Sequence, residues 1–331
     1  MFLRTLLFTT AMLPVAALAS EPAPLKQGVT SLGAAAVDGT LYIYGGYQGA
    51  PHHYSMEGQS DRFLSLNMEK PTEWKTLPSG PKIQSLELVA HDGKLYRLGG
   101  FQALNKQGED SNLQSLADVA VYNSAEKSWK TLTDLPEPRS SFDAVVMGDR
   151  VYVVGGWTLG GGQGSGKWLK TAWSADLTQR PLVWEPLAEP PFQRRAVAVA
   201  AYSGEIYAIG GMADGETTRR VDIYNPKSDK WRRGPDLNGE KDIHGFGAAA
   251  VGTDTGLYVS SLSGTVQRLT EGAEQWEVVA DLDSPRFFHQ MIAHDGKLWL
   301  VGGANMVEGK LPNVEVIELK GDAAATAATA R

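Results

Sequence analysis

The chain has no cysteine. Disulfides, thiolate metal sites and a cysteine nucleophile are therefore all excluded, and stability must come from burial alone. Basic runs are missing too: the formal net charge is −7 at pH 7, and Lys and Arg are scattered, which argues against nucleic acid as a partner. Six histidines are spread along 331 residues, and the adjacent pair His52–His53 has no third ligand in register, so no metal is expected. No apolar run is long enough to cross a bilayer. Nor does any segment sustain a helical period, which leaves strands as the structural unit.

What is present begins with an address. Arg4 precedes an apolar stretch through Ala16 and then Ala17-Leu18-Ala19, the order of a signal peptide cut after residue 19. The expectation is export, to the periplasm or outside the cell. At the other end, residues 321–331 are rich in Ala and Thr and read as a low-complexity, disordered tail. Between them, 20–320 is read as one domain.

That domain repeats itself. Residues 41–46 (LYIYGG), 95–100 (LYRLGG), 151–156 (VYVVGG) and 206–211 (IYAIGG) are nearly alike, 298–303 (LWLVGG) differs by one ring, and 257–262 (LYVSSL) is a degenerate copy. The first four recur about every 55 residues, the period of a repeat architecture. Each is preceded by a turn such as Asp38-Gly39, Asp92-Gly93 or Ser203-Gly204, suited to two-residue hairpins. A further strand follows each, then a tryptophan strand around Trp74, Trp129, Trp184, Trp231 and Trp276. Four strands per unit, called A to D, with a glycine pair closing B and a tryptophan in D, resemble the kelch repeat. The resemblance implies an all-β, six-bladed β-propeller with four antiparallel strands per blade. No tryptophan strand follows the last B and C strands, and residues 21–27 are the candidate to complete that blade.

The A strands are small and apolar, as suits the centre of a tapering ring. Antiparallel order then places the D–A and B–C loops on one face. The B–C loops at 47–60, 101–117 and 157–170 are long, and long loops in a compact fold tend to be functional. The same face is expected to carry Arg139, Arg194 and Arg286, which align in the repeat and would clamp an anion bidentately; the competing reading has them bonding backbone carbonyls. Glu87, Asp143 and Gln290 share one place in their A strands, where Gly33, Ala198 and Gly247 stand in the others. Two carboxyls on adjacent strands there could share a proton or act as acid and base. His244 and His289 begin the fifth and sixth A strands. Tyr54, Phe101, Trp157 and Trp168 lie on the long loops. The glycine run 160–166 lacks a strand-to-helix setting and the Gly-Lys-Ser/Thr ending of a phosphate loop.

The kelch resemblance admits several functions. Copper radical oxidases of this fold need a cysteine cross-linked to tyrosine, which this chain does not have. The exported N-acetylneuraminate epimerases imply a glutamate base directly after a glycine pair and an arginine a few residues on. Here Met212 follows Gly210-Gly211, with Glu216, Arg219 and Arg220 beyond. The leading expectation is a binding protein without cofactor, taking a small anionic or sugar ligand or a protein partner through its loop-rich face. The alternative is an epimerase or mutarotase of a carboxylated sugar. Oligomeric state is left open.

Overall fold

The computed structural model describes residues 21–124, 126–162 and 166–319. The signal-peptide and tail assignments lie outside the described residues. Each sequence repeat folds into an antiparallel sheet whose strands follow chain order from the inside outward. The first sheet is β1 (Gly33–Val37), β2 (Thr40–Tyr44), β3 (Phe63–Asn67) and β4 (Trp74–Leu77). The second is β5 (Glu87–His91), β6 (Lys94–Leu98), β7 (Val119–Asn123) and β8 (Ser128–Thr131). The third joins β9 (Asp143–Met147), β10 (Arg150–Val154), β11 (Ala172–Asp176) and β12 (Trp184–Pro186). The fourth comprises β13 (Ala198–Tyr202), β14 (Glu205–Ile209), β15 (Val221–Asn225) and β16 (Lys230–Arg233). β17 (Ala249–Thr253), β18 (Gly256–Ser260), β19 (Thr265–Leu269) and β20 (Glu277–Asp281) form the next. β21 (Phe287–His294), β22 (Lys297–Asn305) and β23 (Val314–Glu318) form the last.

A sheet with two apolar faces must bury both, and here each face packs on the neighbouring sheet. Tyr44, Phe63, Leu88 and Tyr122 join the first two sheets. Val89, Val119, Val151 and Val153 join the second and third. The circle closes where Ala34, Leu41 and Ile43 meet Trp299, Val301 and Val314. The outer tryptophans add directed bonds between sheets. The indole N–H groups of Trp74, Trp231 and Trp276 donate to the carbonyls of Ala23, Ala188 and Pro235 at 2.8–2.9 Å.

A ring of backbone bonds closes the centre. The N–H of Ser85 donates to Ser31, Ser141 to Ser85, Ala196 to Ser141, Gly247 to Ala196, Phe288 to Gly247 and Ser31 to Phe288, at 2.7–3.2 Å. All of these residues have positive φ, from 50° to 60°. That region is costly for five of the six side chains, so the ring is held by the packing around it. The glycine pairs serve the same closeness. A Cβ on Gly210 would stand 2.2 Å from the Gly245 carbonyl oxygen.

Two expectations need revision. Residues 21–27 form no strand; Leu25 donates its N–H to Pro312 and packs on the last sheet, while Ala23 bonds the first sheet's connector. The segment thus bridges the seam without adding a ladder. The long B–C loops also have structure of their own. Phe101–Ala103 pairs with Leu113–Ser115, which pairs in turn with Gly160–Gly161, and Trp157–Thr158 pairs with Lys167–Trp168.

Candidate functional site

The innermost strands β1, β5, β9, β13, β17 and β21 surround a channel of about 1700 Å³ running from the A–B turns to the loop-bearing face. Pairing with the B strands fixes its levels. Gly33, Glu87, Asp143, Ala198, Ala249 and Gln290 face Tyr44, Leu98, Val154, Ile209, Ser260 and Val301 respectively. The equivalent residue in the fifth sheet is therefore Ala249; Gly247, expected from sequence, belongs two residues earlier in the bonded ring. One arc of this level is polar and the other is small.

The polar arc is connected. Gln290 donates from Nε2 to the Leu32 carbonyl at 3.1 Å and toward Glu87 at 3.5 Å. Glu87 shares a hydrogen bond with Asp143. Asp143 accepts the N–H groups of Ala144 at 2.7 Å and Val199 at 2.5 Å. Burial raises both carboxyls, Asp143 to about 7 and Glu87 well above its ordinary value, and Glu87 is raised further by the facing Asp143. Two touching carboxyls with no counter-charge cannot both ionise, so the pair keeps a proton near neutrality.

The three aligned arginines lie elsewhere. Arg139, Arg194 and Arg286 are at most 1% exposed and sit inside the sheets, not at the channel. Arg139 donates to the carbonyls of Gly155 and Thr171 and pairs with Glu137. Arg194 bonds Gly210 and Arg220 carbonyls and Asp222 at 2.6 Å. Arg286 pairs with Glu315 at 2.7 Å. Burial pulls Arg139 and Arg194 down to about 10 against the opposing pull of their carboxylates. The anion-clamp expectation is corrected for all three: their donors face the glycine-pair turn and the start of the C strand.

The channel mouth holds a different arginine. Arg195 immediately precedes the bonded ring, where the other repeats place Thr30, Gln84, Ser140, Phe246 and Phe287. Its guanidinium stands 4.3 Å from the Trp157 ring centre and 5.2 Å from that of Trp168. One terminal nitrogen meets the Met212 sulfur at 3.2 Å, and Nε is buried without a partner. Among the described residues no carboxylate pairs with it. Burial lowers its pKa, opposed by Tyr54. Tyr54, Phe101, Trp157, Met212, Phe246 and Phe288 line the mouth with it. Tyr54 packs edge-on against Phe101 at 5.7 Å. Sequence reasoning found Tyr54 and Trp157 but missed Arg195. Its signal was a second arginine after the repeated one, at a position where the repeat has none.

The remaining candidates disperse. Glu216 is exposed on the hairpin pairing Met212–Ala213 with Glu216–Thr217, outside the channel lining. It therefore does not supply a base to the channel, and Met212, which follows the glycine pair where the epimerase resemblance implies a glutamate, is a thioether without a proton to exchange. Arg219 pairs with Asp242 and donates to the Leu237 carbonyl, away from the channel. His244 sits in the 3-10 turn Asp242–Gly245 beside Gly239 and also misses the lining. His289 reaches the channel wall but is buried against Ser260, Nε2 to Oγ 2.7 Å. Burial, with Arg286 near, pushes it down to about 3, so it stays neutral. His52 lines the mouth. No group of three metal-binding side chains exists among the described residues, and none of their helices is long and apolar enough to cross a membrane.

Residues 108–261 match the family described as the KLHDC2/KLHL20/DRC7 Kelch-repeats domain. The Kelch-like protein terF of Aspergillus terreus is 28% identical, over 64% of this chain and 46% of its own. Alpha-scruin of Limulus polyphemus is 26% identical, over 66% of this chain and 25% of its own. The chain thus spans under half of those two relatives. N-acetylneuraminate epimerase of Haemophilus influenzae is 25% identical, over 79% of this chain and 84% of its own. The solved structure of YjhT matches with a TM-score of 0.72 at 17% identity, covering 92% of this chain and 98% of that one.

Proposed function

We propose that this chain of kelch repeats is an exported, six-bladed propeller that binds an acidic or carbohydrate ligand, or an acidic segment of a partner protein, at the loop-bearing mouth of its channel. Each principal sheet is taken as one blade. Arg195 carries the reading. A cation held among aromatic rings without a counter-ion is costly, and an incoming carboxylate relieves that cost. The blade arginines, by contrast, already have their anions. The carboxyl pair below supplies a proton-bearing hydrogen-bond donor inside the channel.

The test is a calorimetric screen of small acids and sugars, with a pull-down from exported proteins, against the wild type, Arg195→Ala and Trp157→Ala. Ligand binding that weakens in both variants is expected; ligands indifferent to both would end this reading. Cleavage after residue 19, read by mass spectrometry of the secreted chain, tests export.

The epimerase reading has one observation in its favour: similarity across 84% of the Haemophilus enzyme. Its implied glutamate is replaced by Met212, and the ionisable carboxyls that reach the channel at mid-depth are Glu87 and Asp143. NMR anomer exchange of N-acetylneuraminic acid decides it. No acceleration over buffer removes the reading.

A further inference from the structure

The chemistry around Arg195 points to a narrower ligand than the binding reading requires. We infer that the channel mouth is a site for small aromatic carboxylic acids, arylacetate-like molecules with one carboxylate attached to a flat apolar ring. The inference rests on the binding reading and specifies its ligand class.

Three observations support it. First, the charge is single: Arg195 is the cation that lines the mouth beside Trp157, and no carboxylate neutralises it among the described residues. A ligand carrying one negative charge balances the site; a second charge would face the Glu87–Asp143 pair below. Second, the collar is rich in aromatic rings. Trp157 and Met212 touch the guanidinium, Tyr54, Phe101, Phe246 and Phe288 line the same channel, and Phe246, Phe287 and Phe288 pack in a cluster with ring centres 5.0–6.3 Å apart. A polyhydroxylated ligand would leave those of its hydroxyls that face these rings without a hydrogen bond. A flat ring would instead find edge and face partners at the separations aromatic pairs prefer.

Third, the guanidinium is pre-positioned. Trp157 covers one of its faces, and its backbone is bonded on both sides to Met212, N–H to carbonyl 3.1 and 2.9 Å. Nε is buried, and the terminal nitrogens present the edge that a carboxylate engages. The ordering cost of a long side chain is therefore already met when the ligand arrives.

The test uses the full mature chain and isothermal calorimetry with phenylacetate, indole-3-acetate, phenylacetamide and N-acetylneuraminic acid as probes. The two aryl acids should bind saturably. The amide, with the same ring and no charge, should bind at least about tenfold more weakly. Arg195→Ala should lose about tenfold or more for the acids and little for the amide, with its unfolding midpoint recorded to show that the fold persists. The inference is overturned if neither acid binds, if the amide matches them, or if Arg195→Ala binds the acids like wild type. Binding of N-acetylneuraminic acid through Arg195, without the aryl acids, overturns it while leaving the broader binding reading in place. Binding of no acid or sugar through Arg195 in the wider screen ends both.

Discussion

Arg194 and Arg195 are neighbours in the chain and belong to opposite regions of the molecule. Arg194 lies in the blade interior, where Arg139 and Arg286 repeat its role, one and two sheets away along the chain, each with a carboxylate and carbonyls of its own. Arg195 lies at the channel mouth, where no other repeat has an arginine and no carboxylate among the described residues pairs with it. The contrast teaches where function sits in a repeat protein. A side chain that recurs at one place in three of the units is solving a problem those units share, here the buried carbonyls at the glycine-pair turn. A side chain that breaks the recurrence is answering to something outside the scaffold.

The sharpest way to break this comparison is to disturb the blade interior. Asp222 is buried with Arg194 and also bonds Arg220. Replacing it, Asp222→Ala, strands a guanidinium that is 1% exposed. Removing one partner of a buried pair costs about 3–5 kcal/mol, and an unfolding free energy lowered by that amount is expected from chemical denaturation. A loss below about 1 kcal/mol would mean that the repeated arginines are not structural, and the contrast would collapse.

The carboxyl pair stands between the two regions: it is set in the channel wall, yet only two blades carry it. Its proton gives a pH signature. The folded chain holds Asp143 at about 7, against 3.8 when unfolded and solvated. The folded state therefore binds more protons than the unfolded one over the interval between those values. Stability must fall as pH rises from about 4 to about 7, and Glu87, held well above its ordinary value, carries the fall further upward. Asp143→Asn keeps a hydrogen bond to Glu87 and removes the repulsion, so the slope should flatten, by on the order of 2 kcal/mol across that window. Thermal midpoints at intervals from pH 5 to pH 8 read this directly. A wild-type profile that rises over that range would show the pair to be ionised and solvated.

How far the sequence carried this structure follows from the same distinction. Recurring features were legible: the glycine pairs, the two-residue turns, the tryptophan strands and the inward A strands all lie where the repeat placed them. Glu87, Asp143 and Gln290 were legible as a group, since alternation along an inner strand is a local rule. The fifth repeat was aligned two residues early because its glycine pair is replaced by Ser261 and Leu262, which removed the marker. Arg139, Arg194 and Arg286 were misplaced for a physical reason: strand order decides which face a loop occupies, but not whether a long side chain on it turns outward or folds back between sheets. Arg195 left no mark in the repeat pattern, because it stands where the other repeats have Thr, Gln, Ser or Phe.

The smallest expected effect is the most telling. Arg195→Ala removes a half-buried cation that has no carboxylate partner, together with its contact to Trp157. The lost cation–π contact and the relieved desolvation oppose one another, each on the order of 1 kcal/mol. The unfolding free energy should stay within about 1 kcal/mol of wild type. That outcome would mark a residue that burial makes expensive and that the fold does not need, as the proposed binding at the mouth requires. If Arg195→Ala instead destabilised the chain as severely as Asp222→Ala, the two arginines would be alike, and the mouth would be one more part of the scaffold.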